Sequence, residues 1–225
     1  MSSLQKLLYE VKSPISGEIK VIQDGPERRL VVGGLNQSIN AEAPDVEERI
    51  WGELVNSKKQ KAKSKNALIL GLGGGTVAHL LTKKFGPIPI DGVEIDPVIV
   101  EVGKEFFGLG RLSNLNIIIA NAISVVKKPS DYCLMPIAYC LIIVDLYCGS
   151  EYPKEAESND FFAGLKNLIH PSGVIVFNRI SSEHDAEFEE KLKENFGNFQ
   201  KKTVPSKFGG ENIVYRMAIS EGRLG

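Results

Sequence analysis

The chain has 225 residues, 43% hydrophobic and 24% charged, with a net charge of −1, the profile of a globular protein of one medium domain or a domain with a small appendage. That balance gives no general pull toward nucleic acid or an anionic membrane, so neither is expected as a partner. Cys133, Cys140 and Cys148 form no Cys-x-x-Cys pair, and neither a signal-peptide pattern nor an apolar run long enough to span a membrane is present; a cytoplasmic protein without disulfide framework or zinc site is expected.

Residues 1–40 read as short strands and turns. Leu7–Val11 is one run, Glu18–Ile22 alternates polar and apolar as a half-buried strand does, and Arg29–Val32 is a third. Ser16-Gly17 and Gln23–Glu27 are turns by composition, and Gly33-Gly34 ends the last run. The result is a small antiparallel β element. Pro44-Asp45 opens a helix, with Asp45 as N-cap, Glu48 completing a capping pattern, and Ile50, Trp51, Leu54 and Val55 on one apolar face. The lysine-rich run 57–65 reads as a solvated linker. It divides an N-terminal unit, 1–60, from a larger domain, 61–225.

From Asn66 strands and helices alternate. The first strand, Ala67–Leu70, runs into glycines at 71, 73, 74 and 75, and an apolar helical pattern starts at Thr76. Glycine lets a ligand approach bare backbone, and free N–H groups at the start of the following helix favour an anion. A second strand, 89–94, ends in Glu94, about twenty residues past the turn, where a carboxylate grips a ribose diol in sheets of this type. Asp96-Pro97 starts the next helix. Strands at 115–119 and 140–145, a helix from Ser158 ended by His170–Gly173, a strand at 173–177, a helix carrying Phe188, Leu192 and Phe196, and two closing strands, 199–204 and 213–219, complete the pattern. Alternation implies a parallel sheet with helices on both faces, and the last two strands imply an antiparallel hairpin. Ligands in such sheets lie at the carboxyl ends of the strands, at the switch point. That gathers the Gly71–Gly75 turn, Glu94, Asn121 and Asp145 in one cleft. His79, His170 and His184 share no metal-ligand spacing, and no metal is expected.

This order resembles the class I S-adenosylmethionine-dependent methyltransferase fold: Rossmann-like, seven-stranded, mostly parallel, here with a small N-terminal antiparallel β element. Leu70-Gly-Leu-Gly-Gly-Gly75, Val93-Glu-Ile-Asp-Pro97, Ile142-Ile-Val-Asp145 and Pro171-Ser-Gly173 are similar to its spermidine synthase branch, and so are Arg29–Gln37 and Glu48–Leu54. The resemblance implies an adenosyl ligand: S-adenosylmethionine, or a decarboxylated or methylthioadenosine relative. It places Gly71, Gly73, Gly74 and Gly75 on the methionyl side, Glu94 on the ribose, Ile95 and Ala122 on the adenine, and Asn121 at the adenine amino group. Asp145 would lie near the sulfonium as both a cofactor contact and a catalytic acceptor of a proton. Gln37 and Tyr147 would face a small-molecule acceptor, under a lid formed by 146–158. Homodimers formed through the N-terminal β element are also implied.

Departures from the branch bear on the reaction. Gly74, Cys148 and Gly52 stand where aminopropyltransferases carry an amine-holding Asp, a second Asp that serves as base, and a polar residue. A polycation needs several carboxylates to replace its hydration. Methyl transfer asks mainly for alignment in a dry site, and a methyltransferase is the leading expectation. The alternatives are an aminopropyltransferase with displaced acids, for example Glu151, and a nucleoside-binding module without turnover. An NAD-binding protein would need glycine where Thr76 stands.

Overall fold

A computed structural model describes residues 5–56, 65–135, 137–147, 151–207 and 210–219. Cys148 and nearly all of the lysine-rich run lie outside these residues. The strands β5 (Ala67–Leu70), β6 (Ile90–Glu94), β7 (Leu115–Ile119), β8 (Tyr139–Val144), β9 (Ile169–Ile180), β10 (Gln200–Pro205) and β11 (Glu211–Ala218) form one sheet in the order β10-β11-β9-β8-β5-β6-β7. β5 to β9 are parallel, while β11 runs antiparallel to both β9 and β10. The alternation predicts this mostly parallel sheet with its closing hairpin, and the architecture is the class I methyltransferase one that the resemblance implies.

β5 and the stretches Leu141–Val144 of β8 and Val174–Phe177 of β9 are apolar without interruption because both faces are covered. Leu68, Leu70, Ile142, Val144, Ile175 and Phe177 face one core with helices α4 (Ala122–Lys127), α5 (Asn159–Leu168) and α6 (Asp185–Phe196). Their neighbours Ala67, Ile69, Leu141, Ile143, Val174 and Val176 face the other, with α1 (Ile50–Val55) and α2 (Thr76–Phe85). Phe161, Phe162, Phe188 and Phe177 are fully buried on the first side.

A second sheet holds β1 (Lys6–Ser13), β2 (Gly17–Asp24), β3 (Glu27–Val32) and β4 (Leu35–Ile39), all antiparallel. Ile19, Val21, Leu30 and Val32 pack on Ile99, Val102 and Phe107 of α3 (Pro97–Phe107), which ties this sheet to the larger one. Gly33-Gly34 does not end the element; it is the turn into β4, and both glycines have positive φ. Trp51, Leu54 and Val55 of α1 share the core of the large sheet, although in sequence the helix stands with the β element.

Two predicted helix ends differ. Asp45 has φ 59° and makes no side-chain cap; a 3-10 turn, Val46–Glu48, precedes α1, and the Asp45 carboxylate accepts instead from Arg49 at 2.9 Å. His170–Gly173 does not follow the helix as a loop, because β9 begins at Ile169. These residues form a bulge between the pairs Tyr139↔Ile169 and Leu141↔Val174. His170 Nδ1 accepts the Ser172 N–H at 3.1 Å, which closes the bulge on itself.

One buried carboxylate of β6 joins the edge strand β7 to β8. Asp91 of β6 is fully buried and accepts from the Tyr139 hydroxyl of β8, from Asn116 Nδ2 of β7 at 2.8 Å and from Met135 N–H at 2.9 Å. Tyr139→Phe removes one donor and leaves two. The expected loss is about 1–3 kcal/mol of stability in urea unfolding, with an unchanged m-value.

Candidate active site

β5 lies between β6 and β8, so chain connections depart to both sides of it and a crevice opens at its carboxyl end. Gly71 follows β5 with φ 92°, a conformation that L side chains rarely adopt. A Cβ there would come within 2.0 Å of the Asp145 carbonyl oxygen, and Asp145 N–H donates to Leu70 O at 2.8 Å. The turn and the tip of β8 are one packed unit.

The N–H groups of the turn itself are all engaged by the protein. Gly71 and Leu72 donate to Val93 O, Gly75 to Leu72 O, Gly73 to Glu94 Oε2 at 2.8 Å, and Gly74 to Ser38 Oγ at 2.8 Å. All five donors have protein partners. Thr76 extends the link to β4: its hydroxyl donates to Ile39 O at 2.6 Å and accepts Ile39 N–H at 3.0 Å. The strap from β4 to the turn fixes where Gln37 stands.

A cavity of about 760 Å³ occupies the crevice. Gly71 and Gly73 form part of its wall, with Leu72 between them. Gly74 and Gly75 do not reach it. Gly74 backs onto Ser38 and Leu30, and a Cβ on Gly75 would strike Leu109. Glu94 reaches the cavity although it is only 7% exposed. Besides Gly73 it accepts Asp96 N–H, through Oε1, at 3.1 Å. Burial pushes its pKa up, and the backbone donors oppose that. A carboxylate offers about four lone-pair directions, so acceptor capacity remains for a diol. Ile95, 44% exposed, with Ala122 and Ile123, makes an apolar flank. Asn121 is also on the wall, but its Oδ1 caps α4 by accepting Ile123 N–H at 2.8 Å, leaving one lone pair for an adenine amino group. The wall carries the carboxylates of Glu94, Asp145, Glu151 and Glu155 against the single cation of Lys154 among the described residues, a field that suits a positively charged ligand.

A smaller cavity of about 240 Å³ adjoins the first and shares Gln37, Trp51, Asp145 and Tyr147 with it. Asp145 therefore stands where the two meet. Its Oδ1 accepts from Asn178 Nδ2 at 2.7 Å, and burial pushes its pKa up to about 6 against that hydrogen bond. Segment 151–155 covers the larger cavity together with Leu146 and Tyr147. The Tyr147 hydroxyl accepts Ile180 N–H, the Tyr147 and Tyr152 rings meet edge to face at 5.4 Å, and the Arg179 guanidinium lies over Tyr152 at 4.1 Å while paired with Glu157.

Sequence reading missed Ser38, which occupies the turn's fourth donor, and Asn178. The second was findable: it is the first polar residue after the apolar run Val174–Phe177, and parallel register brings it level with Asp145. At Gly52 a Cβ would lie 2.1 Å from the Glu47 carbonyl oxygen, so no side chain fits there. Glu53 is bound to Arg216 at 2.5 Å and to Lys202, which ties α1 to the closing hairpin.

A family model, the spermine/spermidine synthase domain, matches residues 47–208. The polyamine aminopropyltransferase of Vibrio vulnificus is 28% identical over 172 residues, which are 76% of this chain and 55% of that protein. The chain thus spans about half the length of that relative. Among solved structures, a spermidine synthase in complex with the transition-state analogue AdoDATO superposes with a TM-score of 0.75 at 14% identity, covering 97% of this chain and 74% of the other. Human methyltransferase-like protein 13 in complex with SAH gives 0.63 at 20%, covering 81% and 86%.

Proposed function

The chain belongs to the spermine/spermidine synthase family, a family of transferases, and on that premise we propose that it moves a methyl group from S-adenosylmethionine to a small-molecule acceptor. The observation that carries the reading is the convergence on one cavity of a bare glycine turn, a buried strand-end carboxylate, an apolar flank and the Asp145 carboxylate. These residues fit an adenosyl sulfonium. Glu94 would hold the ribose hydroxyls, Ile95 and Ala122 would pack on the adenine, Asn121 would face its amino group, and Gly71 and Gly73 would lie along the amino-acid arm. The relatives known with SAH or AdoDATO bound point to the same ligand class.

The bound sulfonium supplies an electrophilic carbon already activated by its positive charge. The chain's part is alignment, exclusion of water and removal of a proton. Gln37, Trp51 and Tyr147 line both cavities and would position an acceptor entering from the smaller one. Asp145 then takes the proton as the acceptor's lone pair is committed. Methyl rather than aminopropyl transfer is favoured because Gly74, which backs onto Ser38, and Cys148 stand where the two amine-side carboxylates would be, and Gly52 brings no polar side chain. The second reading, aminopropyl transfer, is favoured by Glu151 on the cavity wall and by the polyamine aminopropyltransferase relative.

The two are separated by supplying S-adenosylmethionine or its decarboxylated form with a panel of amines and other acceptors, and scoring transfer by mass. Transfer only from the decarboxylated donor overturns the methyl reading, and tight binding without transfer reduces the protein to a nucleoside-binding module. With whichever acceptor turns over, kcat/KM should rise with pH through about 6 and then level, since Asp145 acts only when ionised. A profile flat from pH 5 to 8, or one unchanged by Asp145→Asn, removes Asp145 as the base.

A further inference from the structure

Asp145 has little freedom except in its side chain. Its N–H is bonded to Leu70 and its carbonyl is packed on Gly71. Asn178, beside it, sits in β9 with backbone paired to Val214 of β11 on the other side, and is 6% exposed. Its Nδ2 holds Asp145 Oδ1 at 2.7 Å, while its own Oδ1 is buried without a partner among the described residues. Among the described residues the carboxylate is the amide's one partner. Asp145 Oδ2 makes no hydrogen bond to any described residue.

Resting on the transferase reading above, we propose that Asn178 is the positioning residue of the site: it fixes the plane of the Asp145 carboxylate through Oδ1 and leaves Oδ2 as the oxygen that meets the acceptor. The other groups around Asp145 do not substitute for it. From β4 comes Gln37 and from α1 Trp51, while Tyr147, on Asp145's own segment, has its hydroxyl bonded to Ile180 N–H. Arg49 and Lys207, on the far wall of the smaller cavity, are both paired with Asp45. Glu211 lies on that wall, and Glu94, Glu151, Lys154 and Glu155 on the larger one, and none of them is paired with Asp145. With no cation bonded to the carboxylate among the described residues, the Asn178 donor is what favours its ionised form.

The test is an NMR titration of the Asp145 carboxyl carbon in aspartate-labelled protein, the signal assigned by its loss in Asp145→Asn. Asn178→Leu, with the same branching of heavy atoms but without a donor, should raise the midpoint by about one to two pH units. Asn178→Asp should replace the single step with two coupled ones, and it serves where the leucine variant fails to fold. In turnover, Asn178→Leu should lower kcat roughly ten- to a hundredfold, within the range a general base supplies, and leave KM for S-adenosylmethionine within about twofold. A midpoint unmoved in both variants, or a kcat unmoved in a folded one, overturns the assignment. Failure of S-adenosylmethionine to change Trp51 fluorescence would instead count against the donor reading, because Trp51 is the chain's single tryptophan and lines both cavities; the titration stands apart from that result.

Discussion

Gly71→Ala should cost about 2–5 kcal/mol of stability and abolish binding of adenosyl compounds. Two effects add. A non-glycine residue at φ 92° is strained by about 1–2 kcal/mol, and the new methyl would sit 2.0 Å from the Asp145 carbonyl oxygen, where only backbone can give way. Overpacking of this kind costs typically about 1–3 kcal/mol. The displacement pushes apart the tips of β5 and β8, so the damage falls on the wall that Gly71 and Asp145 share. Gly25→Ala is the control: φ there is also positive, at 58°, but a Cβ meets nothing within 4 Å, so it should show the strain alone and leave binding intact. Unfolding in urea and thermal shift with S-adenosylmethionine read both quantities. Equal losses in the two variants would mean that the contact with Asp145 does not matter.

What could be read in the sequence was what depends on local pattern. Unbroken runs such as Ala67–Leu70 and Leu141–Val144 declare a doubly covered parallel sheet, because no polar residue interrupts either face. The positions of Gly71, Glu94 and Asp145 follow from strand ends alone. Hydrogen-bond ownership could not be read there. Whether Gly73 and Gly74 offer free donors depends on Glu94 and on Ser38, one of them in another sheet, and no local rule couples residue 38 to residue 74. The same holds for Asp45, whose capping pattern is sound locally but whose carboxylate finds Arg49 and Lys207 in the fold. β4 was missed because Gly33-Gly34 reads equally as a terminator or a hairpin turn.

This ownership changes what a mutation at Glu94 reports. In S-adenosylmethionine at about a hundred times its dissociation constant, the wild-type protein should gain about 2.7 kcal/mol, read as a rise in Tm. Glu94→Ala should lose most of that gain, since the ribose acceptor is gone. It should also lower Tm without ligand, because Gly73 and Asp96 N–H groups lose their acceptor, at about 1–3 kcal/mol for buried donors left unpaired. Glu94→Gln separates the two roles. One amide oxygen can still accept from Gly73 or Asp96, but the amide NH₂ meets the other backbone donor, so apparent stability falls by less than in the alanine variant while ligand-induced stabilisation falls nearly as far. A free-protein Tm unchanged in the alanine variant would show that Glu94 does not hold the turn. A ligand shift unchanged in both variants would remove the ribose from its neighbourhood, and with it the placement of the adenosyl group along Gly71 and Gly73.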